Sequence, residues 1–144
     1  MTPQEAVQAK NIAELIAAAI PAQYADWATI SAWLWLSPDG KGGGGGAQAY
    51  DAYGNAVGFS FAIPPVLPAL RILREMHPDA DHRAWKTVLL QFGRKSDQLC
   101  ATYKYGDALR WMVTKDNFQD KIHEMRPDFS LIPRPNLAWS PVVF

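Results

Sequence analysis

The chain has 144 residues, of which 49% are hydrophobic and 19% charged, with 14 basic and 14 acidic side chains. That is the length of one domain able to bury roughly two-thirds of its unfolded surface, and with this balance neither a disordered chain nor a nucleic-acid coat is the default reading. Cys100 is the single cysteine, so an intrachain disulfide and a multi-cysteine zinc site are excluded and a reducing, cytoplasmic setting is the expectation.

The first residues, Met-Thr-Pro-Gln-Glu, lack the basic start and apolar core of a secretory signal. The greasy stretches 12–20 and 62–70 are too short to span a bilayer. From Glu5 to Ala19, apolar Ala6, Ile12, Leu15, Ile16 and Ala19 recur at helical spacing, which predicts an amphipathic helix ending near Ile20, because Pro21 restricts its predecessor. Its polar face is not markedly basic, so it is expected to cover a sheet rather than a membrane. From Ala28 to Leu36, Ile30, Ala32, Leu34 and Leu36 alternate with Thr29, Ser31, Trp33 and Trp35. The two-residue period predicts a strand with one aliphatic face and one tryptophan face. Ser37-Pro38-Asp39-Gly40 reads as a turn, and Gly42–Gly46 as a flexible hairpin connection. The glycine run has neither the spacing nor the lysine of a phosphate-binding loop.

Two further strands are expected at Ala49–Tyr53 and Val57–Ile63, turning at Gly54-Asn55, followed by a short helix over Leu70–His77. The clearest unit is a hairpin. One strand lies within Arg83–Phe92, a turn follows at Gly93–Asp97, and Leu99–Tyr105 returns with Leu99, Ala101, Tyr103 and Tyr105 on one side. Lys115–Met125 places Phe118, Ile122 and Met125 on a helical face. Beyond it, Pro127, Pro133, Pro135 and Pro141 break regular structure in an apolar tail. The whole reads as α+β over residues 1–144: an antiparallel, hairpin-rich sheet covered by an N-terminal helix and shorter carboxyl-half helices, with a proline-rich C-terminal tail.

Catalytic patterns are weak. His77, Asp79, Asp81 and His82 bracket Pro78 without metalloprotease or calcium-loop spacing, and His123 stands alone. Cys100 falls opposite the Leu99 face, where packing is the simpler role. No nucleophile elbow appears. Arg94 and Lys95, with Lys86 and Lys104, make a basic-aromatic stretch for an alternative nucleic-acid-binding module, diluted by Asp97 and Asp107. A further alternative is a small enzyme whose polar residues assemble in space. Recognition of a protein partner through aromatic and mixed-charge contacts accounts for more of the sequence; no catalysis, cofactor, metal or direct nucleic-acid contact is expected.

Three stretches carry a family resemblance: Asn11-Ile-Ala-Glu-Leu-Ile-Ala-Ala-Ala-Ile-Pro21, Trp85-Lys-Thr-Val-Leu-Leu-Gln-Phe92, and Tyr103-Lys-Tyr-Gly-Asp107. In this order they resemble the YezG-like bacterial immunity proteins, domain-of-unknown-function family 600, over about Ile12–Trp111, most directly at Ile20, Pro21, Trp85, Tyr103, Tyr105 and Asp107. The resemblance implies a cytoplasmic antitoxin that binds and noncovalently neutralises a cognate toxin domain. The glycine run and the proline-rich Ile63–Pro68 passage depart from the more acidic, more regular middle of that pattern. Against a nuclease toxin, Asp39, Asp51, Asp97 and Asp107 are candidate contacts for its basic surface, and Trp33, Trp35, Trp111 and Trp139 are candidate aromatic anchors.

Overall fold

The computed structural model describes residues 2–79, 81–95 and 98–128. Helix α1 spans Pro3–Ala17, with Pro3 in its first turn and the Thr2 hydroxyl accepting the Glu5 N–H at 3.1 Å, so an orphan donor of the first turn is satisfied. The strands are β1 (Thr29–Leu36), β2 (Gly43–Tyr50), β3 (Ala56–Phe59), β4 (Thr87–Gly93) and β5 (Leu99–Lys104). Helix α2 (Leu67–Met76) precedes β4, and α3 (Phe118–Met125) follows β5. Every strand pairing is antiparallel, in the order β3-β2-β1-β4-β5. The expected α+β architecture, with an antiparallel sheet flanked by helices, is therefore the one found.

The two-residue period of β1 divides the molecule. Ile30, Ala32, Leu34 and Leu36 face α1 and α2 and join Val88, Leu90 and Phe92 of β4 with Ala6, Ile12, Ile16, Leu70 and Leu73 in one buried core. Each valine, leucine, isoleucine or phenylalanine among them contributes about 1.5–3 kcal/mol when taken out of water. Trp85, also fully buried, packs on Tyr103 at 5.7 Å between ring centroids. These two rings thus join the segment entering β4 to β5.

The opposite face carries Trp33 and Leu89, which pack with Trp111 and Met125 in a second cluster. Polar side chains there have a structural duty. The Met125 carbonyl accepts from the Ser31 hydroxyl and from Gln91 Nε2 at 2.9 Å, and the Ile122 carbonyl accepts from the Tyr50 hydroxyl at 2.8 Å. Carbonyls in the last turn of a helix have no partner within it, so the sheet caps α3 by supplying donors. Burial pushes the Tyr50 hydroxyl up to about 12, against the pull of the Arg126 charge. The folded state then holds this proton more tightly than the unfolded chain, so its contribution to stability is full below the ordinary tyrosine pKa of about 10 and lost as pH rises through about 12. Tyr50→Phe removes that titration and is expected to flatten the alkaline fall in stability, as read from chemical denaturation between about pH 9 and 12.

One expectation is overturned. Gly43–Gly46 is a strand, half of β2, and only 37–42 turns. Opposite these glycines lie the two tryptophans of β1: Trp33 pairs with Gly46 and Trp35 with Gly44. A β-carbon on Gly44 would lie 2.5 Å from the Trp35 indole nitrogen, and one on Gly43 would lie 2.5 Å from the Trp35 carbonyl oxygen. Real atoms do not approach so closely, so the missing side chains make room for the indoles and for a tight ladder rather than providing a hinge. The neighbouring strands also shift, to Gly43–Tyr50 and Ala56–Phe59, from the expected Ala49–Tyr53 and Val57–Ile63. Pro68 sits in the first turn of α2, where a proline costs no helical hydrogen bond.

Candidate functional site

The β2–β3 connection is built around Asp51. Its Oδ1 accepts the backbone N–H groups of Tyr53 and Asn55, both at 2.9 Å, while Oδ2 accepts Asn55 Nδ2 at 2.9 Å. The side-chain bond from Asn55 and these backbone donors hold the Asp51 carboxyl below its ordinary range. Gly54 takes φ +87°, a left-handed conformation that closes the turn without a β-carbon penalty. On this fixed backbone Tyr53 is 92% exposed. An exposed tyrosine is an amphipathic ring with few rotamers to freeze, a good anchor for a partner.

Beside the turn lies a notch of about 200 Å³ lined by Tyr24, Asp26, Trp27, Tyr50, Asp51 and Asn55 among others. Asp26 is exposed there. The aromatic walls are braced by cations: the Arg126 guanidinium lies 5.1 Å from the Tyr50 ring and Arg94 lies 4.2 Å from the Trp27 ring. Arg94 also donates to the Trp27 carbonyl at 2.6 Å and to the Ala25 carbonyl. Two carboxylates and two guanidiniums thus share these aromatic walls, which makes the notch a mixed-charge, aromatic surface.

The other sequence-chosen residues scatter. Asp39 organises the β1–β2 turn, accepting the Lys41 N–H at 3.0 Å and the Ser37 hydroxyl at 2.7 Å; those bonds lower its pKa. Arg71 and Arg74 fasten the same turn by donating to the Gly40 and Ser37 carbonyls, each at 2.8 Å. Asp39 and Asp51 therefore stand at opposite ends of β2. Asp107, exposed after β5, accepts the Leu109 N–H at 2.9 Å. Trp33 and Trp111 are buried in the second cluster and Trp35 is half-buried beside it. Asp97 and Trp139 lie outside the described residues, as does the tail from residue 129. Arg94 and Lys95 follow the end of β4 while Lys86 and Lys104 sit at its start, so the length of a strand, about 20 Å, separates them.

His77 meets neither Asp79 nor His82. Its Nδ1 faces Oε2 of Glu5 at 3.0 Å, its ring stacks on Tyr103 at 4.1 Å, and its carbonyl accepts the Tyr105 hydroxyl at 2.9 Å. Glu5, only 4% exposed, also accepts the Tyr103 hydroxyl at 3.3 Å. Burial first, and then the Glu5 charge, raise the Tyr103 pKa. This cluster ties α1 to the loop after α2 and to β5. Both bonds converge on Oε2, so Glu5→Ala, which removes that acceptor and leaves its partners unpaired, is expected to cost about 1–3 kcal/mol in urea denaturation. Asp79 instead accepts within its own loop, through Oδ2 from Arg83 Nε at 2.6 Å and through Oδ1 from the Asp81 N–H at 2.9 Å. Among the described residues, no group of three or more histidine, cysteine, aspartate or glutamate side chains is placed to hold a metal ion, and no helix is long and apolar enough to cross a membrane.

No protein-family model matches the chain, and no curated protein does. The chemistry of the site therefore rests on its own geometry. Sequence reading missed Tyr53 by placing it inside a strand. The signal was present in Asp51 and Gly54-Asn55, a side-chain acceptor followed by turn formers. Glu5 and Asp26 carried no local signal, because their neighbours come from distant parts of the chain.

Proposed function

We propose that this chain is an immunity protein, which binds a cognate bacterial toxin domain and neutralises it noncovalently by covering its active or substrate-binding surface. The observation that carries the reading is Tyr53, almost wholly exposed on a turn that Asp51 locks in place. Preorganisation of this kind closes the β2–β3 hairpin and at the same time lowers the ordering cost of an association made through Tyr53. The adjoining notch, aromatic and of mixed charge, supports contact with a partner surface through aromatic and mixed-charge groups. The resemblance of the Asn11–Pro21, Trp85–Phe92 and Tyr103–Asp107 stretches to YezG-like proteins supplies the class of partner.

Such a protein needs no nucleophile and no cofactor. It acts by occupancy, so protection follows the ratio of chain to toxin and the affinity of the complex. The test is coexpression with the toxin domain encoded beside it. Rescue of growth together with recovery of a direct complex is the expected result. An active toxin that kills cells containing folded chain, and that forms no complex with it, would overturn the pairing.

A further inference from the structure

We propose that the apolar carboxyl-terminal segment of this chain, residues 129–144, docks on its own domain and seats Trp139 in the cavity between the end of α1 and Trp27. The proposal goes beyond the immunity reading and does not depend on it.

The cavity holds about 460 Å³, more than twice the notch beside Tyr53, and shares Trp27 with it. Clefts of roughly 300–1,000 Å³ are the size that takes up a bulky group. Its apolar walls are Ala17, Ala18, Ile20 and Trp27, and Glu14 and Arg94 stand beside them. Both charges are already matched within the domain. Lys10 Nζ lies 3.6 Å from the Glu14 carboxylate, and Arg94 donates to the carbonyls of Ala25 and Trp27. An apolar side chain is therefore the occupant that these walls favour.

The path of the chain points to the same end of the sheet. Phe118 at the start of α3 lines a smaller cavity with Trp33 and Gly46, whereas the Met125 carbonyl at its end accepts from Ser31 and Gln91, and the Arg126 guanidinium lies over the Tyr50 ring. In the register, Trp33, Ser31 and Thr29 succeed one another along β1, and Thr29 pairs with Tyr50 on one side and Gly93 on the other. Helix α3 thus delivers the chain to the end of the sheet where Trp27 and Arg94 border the cavity. From Tyr50 to Gly93 is two strand spacings, about 10 Å, which roughly three residues of extended chain can cross. Trp139 stands thirteen positions beyond Arg126, so reach does not limit it.

Composition supplies the driving force. Residues 129–144 lie outside the described residues; nine of the sixteen are Ala, Val, Ile, Leu, Phe or Trp, and Arg134 is the one charged residue among them. So dense an apolar segment gains free energy by covering apolar surface, and Trp139, its largest side chain, has the most to gain.

The experiment uses the full-length, isotopically labelled chain with Cys100→Ala, so that Ser140→Cys is its single thiol and carries a nitroxide next to Trp139. Resonances of Ala18, Ile20 and the Trp27 indole are expected to lose at least twofold in intensity relative to the reduced label. Ala18 is exposed at the end of α1, so Ala18→Arg fills the cavity without disturbing the core and is expected to restore those intensities. Broadening that persists in Ala18→Arg, that centres on another surface, or that is found nowhere in the domain overturns the proposal. A mixture of labelled chain without nitroxide and unlabelled chain with it distinguishes a second copy: broadening at the cavity in that mixture places the segment on a neighbouring molecule and also overturns docking within one chain. The toxin is absent from every sample, so failure here leaves the immunity reading to its own test.

Discussion

Gly45→Ala is expected to destabilise the fold by about 2–3 kcal/mol, the scale of an overpacked interior. A β-carbon at this position overlaps the Trp33 carbonyl oxygen and comes within 3.2 Å of the Leu34 Cα. Both atoms belong to the backbone of β1, which is held on its far side by β4 and cannot swing away as a side chain would. The sign of the effect separates the two views of the glycine run. In a flexible connection, alanine would reduce the freedom of the unfolded chain and stabilise by about 0.4–1 kcal/mol. Gly106→Ala is the control, because a β-carbon there meets nothing within 4 Å. Thermal or urea denaturation of the two variants beside the parent checks the pair. A Gly45→Ala protein as stable as the parent would show that β2 does not need its glycines.

The same comparison shows where a sequence is readable. Strand β1 announces itself through Ile30, Ala32, Leu34 and Leu36 alternating with Thr29, Ser31, Trp33 and Trp35, and the β4–β5 hairpin through two short apolar runs about a polar turn, β4 being buried on both faces. Helix α1 is likewise visible in Ala6, Ile12 and Ile16, all fully buried. Gly43–Gly46 has no side chains and so has no period. The reason it is a strand lies across the ladder in Trp33 and Trp35 of the preceding strand, whose indoles need the space. For the candidate site the division is similar. The sequence offers Asp51 as a candidate partner contact, and in the fold its carboxylate builds a turn. Trp111 was legible as an aromatic, but only the position of α3 determines that it is buried against Met125 and Leu89.

Tyr53→Ala is expected to weaken the proposed toxin complex by about 2 kcal/mol or more, roughly thirtyfold in Kd, with no change in folding stability. The ring is 92% exposed, so its removal leaves no cavity in the free chain, and any loss of affinity reports a contact rather than a damaged fold. Trp111→Ala gives the opposite pattern. That indole is buried at 3% exposure, and its truncation is expected to cost about 3–5 kcal/mol of stability, so loss of protection in that variant follows from unfolding. Asp51→Ala should weaken binding through the turn, by releasing the Tyr53 and Asn55 N–H groups that hold the ring in place. If Asp51 acts mainly through Tyr53, the double variant will lose less affinity than the two single losses added together, because the second substitution removes an anchor already set free. Calorimetry on the four proteins measures this coupling. Equal affinity for parent and Tyr53→Ala would move the contact away from this hairpin, while strictly additive losses would assign Asp51 a contact of its own with the toxin.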